Sequence, residues 1–228
     1  MNTIAHRLTT IQQQINNVAE KAGREPADVG LLAVSKTHAA AVIEEAWLAG
    51  LTDFGESYLQ EAVEKMASLQ FLAIQWHFIG RIQSNKTRII AEHFDWVHSL
   101  YQTKHAQRLN DQRPPEQPPL KVCLQVNISQ DPNKGGLLAE DLSHMITTFE
   151  QWPRLSLQGL MALPTFTQDI KQQRQTFSQM RELRDREASI QYPLATLSMG
   201  MSGDFEQAIM EGSNLVRIGS ALFGKRQD

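Results

Sequence analysis

Lys36 closes the apolar run Leu31-Leu32-Ala33-Val34-Ser35-Lys36, which reads as a short buried strand with a helix signal directly behind it. In a parallel barrel the carboxyl end of a strand is where active sites lie. A partly desolvated amine there loses its proton readily and condenses with a carbonyl compound to give a Schiff base. Two later segments offer groups that hold an anion. Ser198-Met199-Gly200-Met201-Ser202-Gly203-Asp204 reads as the turn after a seventh strand, with Ser202 as N-cap of the helix that follows. Val216-Arg217-Ile218-Gly219-Ser220-Ala221 leads out of an eighth strand and presents Gly219 and Ser220. Small residues and free amides at such turns favour phosphate, although glycine and serine there also serve simply as caps. Taken with a lysine on the first strand, they point to a phosphorylated carbonyl ligand. Arg217 lies inside an apolar strand, so it is either one half of an ion pair across the barrel or a donor aimed at a ligand.

The elements that must position these groups alternate in type. Strand-like runs fall at 31–35, 53–55, 74–79, 96–98, 121–127, 155–161, 195–198 and 215–218. Helical patterns lie between most of them, at 39–49, 58–69, 86–93, 104–111, 139–151, 170–186 and 205–211. Eight strands alternating with helices predict an α/β fold, a (β/α)8 TIM barrel. A doubly wound open sheet is the structural alternative. Ahead of the alternation, Ile4, Leu8, Ile11, Ile15 and Val18 recur at spacings of three and four, which predicts an extra N-terminal helix over 2–22, ended by Gly23. The run Arg113-Pro114-Pro115-Glu116-Gln117-Pro118-Pro119 resembles a linker. The alternation resumes unchanged after it, so it is read as a loop within one domain spanning 1–228.

Composition narrows the function. The chain has 228 residues, 41% apolar and 21% charged, with a net charge of −3. That balance gives no electrostatic support for nucleic acid or an anionic membrane. Neither a signal-peptide core nor a membrane-length apolar run is present, so a cytoplasmic protein is expected. The single cysteine, Cys123, sits in an apolar stretch and reads as a buried core thiol. His77 reads as a hydrogen-bonded core histidine, and the scattered His93, His98 and His105 do not form a zinc signature. Glu56 and Tyr58 are possible acid–base groups.

Together these residues resemble a known family, the pyridoxal phosphate homeostasis proteins, which are single-domain relatives of the alanine racemase N-terminal barrel. The motifs are Leu32-Ala33-Val34-Ser35-Lys36-Thr37, Phe54-Gly55-Glu56-Ser57-Tyr58, Trp76-His77-Phe78-Ile79-Gly80 and Gln83-Ser84-Asn85-Lys86. They continue with Gly159-Leu160-Met161-Ala162-Leu163-Pro164, Leu197-Ser198-Met199-Gly200-Met201-Ser202 and Val216-Arg217-Ile218-Gly219, and so cover nearly the whole chain. The resemblance implies pyridoxal 5′-phosphate held as an aldimine on Lys36. It implies phosphate contacts from Ser202, Gly219 and Ser220, with Ser198, Met199 and Met201 lining the same pocket, and Arg217 against the pyridine nitrogen. Three positions depart from the family pattern. Ser57 stands where asparagine is usual, Arg81 where proline is common, and Asn133-Lys134-Gly135-Gly136 replaces a Lys-Ser-Gly loop.

The resemblance implies a carrier that maintains cellular vitamin B6 and delivers its active form to apo-enzymes. A monomer is expected, because alanine racemases dimerise with the help of a second domain that this sequence lacks. The alternatives are a low-activity amino-acid racemase using Lys36 and a second group such as Tyr58, and a cofactor-free Schiff-base aldolase or phosphosugar-binding barrel.

Overall fold

The structure, a computed structural model, describes residues 3–224. Each of the eight apolar runs forms a strand: β1 (Gly30–Val34), β2 (Asp53–Glu56), β3 (Gln75–Phe78), β4 (Trp96–Leu100), β5 (Leu120–Val126), β6 (Leu155–Ala162), β7 (Thr196–Met201) and β8 (Leu215–Ile218). All pair in parallel in sequence order, and β8 returns to β1 with Arg217 opposite Leu32, so the sheet closes into a barrel. This is the (β/α)8 architecture the alternation predicts, not the open sheet.

Helices α1 (Ile4–Lys21), α2 (Ala40–Leu48), α3 (Leu59–Ser68), α4 (Thr87–His93), α5 (Thr103–Gln112), α6 (Leu142–Thr148), α7 (Ile170–Glu187), α8 (Phe205–Met210) and α9 (Ser220–Phe223) surround the sheet. The apolar stripe of α1 buries Ile4, Ile11, Ile15 and Val18 against α8, α9 and α2. Thr3 caps it by accepting from the His6 amide, and Gly23 leaves it at φ 69°, a conformation open to glycine. The expected start at Asn2 lies outside the described residues. The proline-rich segment is the loop from α5 into β5, closed by Arg113, whose Nη1 donates to the carbonyls of Ala91 and Phe94. Among the described residues no helix is long and apolar enough to cross a membrane.

The space between sheet and helices is apolar. Cys123 of β5 lies on the other face of its strand from Val122 and Leu124, inside the barrel near Arg217; it is fully buried, and burial pushes its thiol up to about 12, with Arg217 pulling the other way. The barrel interior is different, because it encloses His77 and His98, which are 1% and 0% exposed. Burial pulls both imidazoles below their ordinary value of 6.5, His98 well below it. The unfolded chain takes up these two protons near pH 6.5, and the folded barrel refuses them. Their effect on stability is therefore absent above that pH and unfavourable below it. Stability should fall on acidification by up to about 1.4 kcal/mol per pH unit for each ring. The urea-unfolding midpoint should drop between about pH 7 and about pH 5, and His98→Leu should flatten that slope. A midpoint independent of pH over this range would show that the folded rings take up protons as readily as the unfolded chain does.

Candidate functional site

The carboxyl ends of the strands open into a cavity of about 400 Å3, within the range of small-molecule sites. Lys36 enters its wall just past β1, Ser57 past β2 and Ile79 past β3. Met161 and Leu163 come from the end of β6, Met201, Ser202 and Gly203 from the end of β7, and Arg217, Gly219 and Ser220 from β8 and its exit. Gly80 permits this crowding: a Cβ there would stand 2.3 Å from the Ser57 carbonyl oxygen.

Six of the eight residues singled out from sequence, Lys36, Met201, Ser202, Arg217, Gly219 and Ser220, share this one cavity. Ser198 is fully buried beneath it, and Met199 is packed in the apolar core rather than on the cavity wall. The seventh strand runs on through Met201 instead of ending at Ser198. Its register against β8 shifts between those two residues, and Gly200 takes φ 92° there. The continuation turns Ser198 and Met199 toward opposite sides of the sheet, as strand alternation requires.

Ser202 is not the N-cap of α8. Asp204 occupies that position, and its Oδ1 accepts from the Met201 amide at 2.6 Å. The Ser202 hydroxyl instead accepts from the Ala221 amide at 3.4 Å, tying the turn after β7 to the turn after β8. Among the described residues no acceptor is bonded to the backbone amides of Ser202, Gly203 and Gly219. These amides and the two serine hydroxyls make a donor-rich pole suited to an anion.

Among the described residues Arg217 forms no ion pair across the barrel. Its Nη1 donates to the Ser198 carbonyl at 2.6 Å and to the Ser198 hydroxyl at 2.8 Å, and its Nη2 donates to the Ala162 carbonyl at 2.8 Å. Burial lowers the guanidinium to about 10, so it remains a cation at neutral pH on the cavity floor.

A polar cluster braces the Lys36 segment from behind. The Lys65 ammonium on α3 donates to the Ser35 carbonyl at 2.9 Å and to Glu56 at 2.7 Å, and it also bonds Glu61. Glu56 accepts from the Ser35 hydroxyl at 2.7 Å, and Glu61 accepts from the Thr37 amide at 2.6 Å. The residues on both sides of Lys36 are therefore fixed, and Thr37 is held at φ 68°, unusual for a β-branched residue. Burial raises the Glu56 carboxyl, with Lys65 pulling the other way. This position makes Glu56 a support and not a cavity acid. Tyr58 is exposed and does not line the cavity, whereas His38, which the sequence reading passed over, does.

The arrangement is one amine, one anion-holding pole, one fixed cation and apolar flanks from Val34, Ile79, Met161 and Leu163. It fits a flat, phosphorylated carbonyl compound. Met161 reads in sequence as a packing residue that could face a ligand ring, whereas Val34, Ile79 and Leu163 were missed. The signal available was their position, immediately at or past the carboxyl ends of β1, β3 and β6.

A family model described as "Alanine racemase, N-terminal domain" matches residues 7–227. A "Pyridoxal phosphate homeostasis protein" of Pseudomonas aeruginosa is 54% identical over 226 residues, covering 99% of this chain and 97% of that one. One from Escherichia coli is 46% identical over 232 residues, covering 99% and 98%. Among solved structures, PipY of Synechococcus elongatus with PLP bound aligns with a TM-score of 0.84 at 36% identity, covering 97% of this chain and 100% of PipY.

Proposed function

The chain belongs to the alanine racemase N-terminal domain family, and on that premise we propose that it binds pyridoxal 5′-phosphate at its barrel mouth, buffering the cofactor and passing it to apo-enzymes. The observation that carries this reading is the convergence of the Lys36 amine and the two anion-holding turns on one cavity. The cofactor, when bound, supplies an aldehyde and an electron-withdrawing ring. Lys36 Nζ is the nucleophile for the aldehyde carbon, and forming that bond releases one water, so hydrolysis returns the free aldehyde for transfer. The donors of Ser202, Gly203, Gly219 and Ser220 hold the phosphate, and Val34, Ile79, Met161 and Leu163 exclude water from the ring faces. Arg217 faces the ring nitrogen, with Ser198 holding it and Met199 supporting the strand from the core. A permanent cation there disfavours a protonated ring, so the protein stabilises carbanions poorly and suits storage better than turnover. The proposal extends to a single-domain monomer in the cytoplasm.

Borohydride reduction of the cofactor-loaded protein followed by peptide mass spectrometry tests the covalent step. A single adduct on the peptide carrying Lys36 is expected, and an adduct confined to another lysine overturns the assignment. Ser202→Ala removes one charge-assisted hydrogen bond, worth about 1.5–3 kcal/mol, so cofactor loss on dialysis should be roughly 10- to 100-fold faster. Retention equal to the parent protein removes Ser202 from the phosphate site.

A second reading, weak amino-acid racemisation, draws support from His38, a second titratable side chain on the cavity wall. Loaded protein incubated with L-alanine in heavy water decides between the two. Deuterium appearing at the α-carbon favours racemisation, and its absence favours the carrier.

A further inference from the structure

An unbroken chain of hydrogen bonds crosses the barrel interior from the mouth opposite the cavity up to its floor. It begins at Asp53, the first residue of β2, whose side chain is 37% exposed. Asp53 Oδ1 lies 3.0 Å from His77 Nε2. His77 Nδ1 lies 2.9 Å from His98 Nε2, and His98 Nδ1 lies 3.0 Å from Ser198 Oγ. Ser198 Oγ accepts from Arg217 Nη1 at 2.8 Å.

The chemistry of the two ends dictates where every proton sits. A carboxylate only accepts, so His77 carries its proton on Nε2 and leaves Nδ1 as an acceptor. His98 must then donate from Nε2, which leaves its Nδ1 to accept from the Ser198 hydroxyl. At the other end a guanidinium only donates, so Ser198 Oγ accepts from Arg217 and spends its own proton on His98. Both ends demand the same sense, and each bond in the chain has one donor and one acceptor. Two neutral rings thus connect a buried cation to a carboxylate at the far mouth, and the bond dipoles align between them.

We infer that Asp53, His77 and His98 are positioning residues that lock the tautomer sequence and thereby fix the Arg217 guanidinium toward the cavity, so that the far mouth of the barrel is coupled to the ligand. Without the terminal carboxylate the His77 Nε2–H loses its acceptor and only the Arg217 end still holds the sequence, so a reversed His77 ring, no longer penalised at the far mouth, becomes accessible. A reversed His77 tautomer sets two N–H groups against each other at His98. Reversal of His98 in turn denies the Ser198 hydroxyl its acceptor. The disturbance ends at Arg217, which the variant never touches. The effect on bound ligand rests on the proposed pyridoxal phosphate site, whereas the tautomer sequence does not.

The test uses the full chain and two readouts. In ligand-free protein labelled with 15N-histidine, the nitrogen resonances of His77 and His98 should show Nε2–H and unprotonated Nδ1 in both rings. A Nδ1–H tautomer or a cationic ring in either position overturns the inference. With pyridoxal 5′-phosphate as the probe, Asp53→Ala should change the visible absorption or circular dichroism of the bound cofactor and speed its loss about 5-fold, the worth of one hydrogen bond. Asp53→Asn, whose amide oxygen still accepts from His77, should restore parental behaviour. An Asp53→Ala protein with unaltered spectrum and retention overturns the coupling. If the parent protein takes up no cofactor, the functional proposal fails while the tautomer measurement still decides the relay.

Discussion

Lys36→Ala protein, loaded with pyridoxal 5′-phosphate and dialysed, should be colourless and should retain no cofactor. On the proposed assignment, the donors at the turns after β7 and β8 still offer the phosphate hydrogen bonds, but the covalent tether to Lys36 is gone. Apparent affinity should fall by at least about 100-fold, or about 2.7 kcal/mol. Lys36→Arg separates charge from nucleophilicity, since it keeps the cation and cannot form the bond, so it should be equally colourless. Lys36 is only half-buried, and Lys36→Arg keeps its charge. Far-ultraviolet circular dichroism of the ligand-free Lys36→Arg protein should show the parental fold, so its loss of colour reports the missing nucleophile. A yellow Lys36→Ala protein, with a visible band that survives dialysis, would assign the tether to another residue.

Arg217→Met should cost about 2–4 kcal/mol of folding stability even without ligand, because the carbonyls of Ser198 and Ala162 and the Ser198 hydroxyl lose a buried donor together. Methionine matches much of the volume, so the loss reports the unpaired acceptors more than a cavity. Arg217→Lys keeps the charge but not the fork, and should recover only part of it. Arg217→Glu places a carboxylate against two carbonyl oxygens in a fully buried position and should accumulate little folded protein. Urea unfolding of the methionine and lysine variants measures the difference. In variants that fold, the proposed placement of Arg217 beside the ring requires the spectrum of bound cofactor to change. Arg217→Met with parental stability would mean that the three acceptors find other donors.

The barrel and its anchor points were legible because they are written locally. The run from Leu31 to Lys36 announces a buried strand with an amine at its end, and an arginine between Val216 and Ile218 announces a charge that must be satisfied inside. The turn after β7 misled for a local reason as well. Gly200 reads as a break, yet it is the residue that lets the strand shift register and continue to Met201. Ser202 reads as a cap, yet Asp204 occupies the N-cap position and turns its carboxylate back to the Met201 amide. What stayed hidden needed three dimensions. Lys65 looks like a surface lysine on an amphipathic helix until β2 and α3 are folded around the end of β1. His77 and His98 are separate strand residues until barrel closure stacks them in line with Ser198, 100 positions away in sequence from His98.

The burial of Cys123 gives the molecule a built-in clock. The chain's one thiol lies on β5 without solvent contact and with its thiolate strongly disfavoured, so an alkylating dye reaches it only when the barrel comes apart. If reclosing outruns labelling, the dye reads out the equilibrium for global opening. Cofactor saturation must then slow the labelling by the factor that its affinity sets. Oxidant bursts that disable exposed, low-pKa thiols elsewhere in a cell would leave this thiol, and the barrel around it, unmodified.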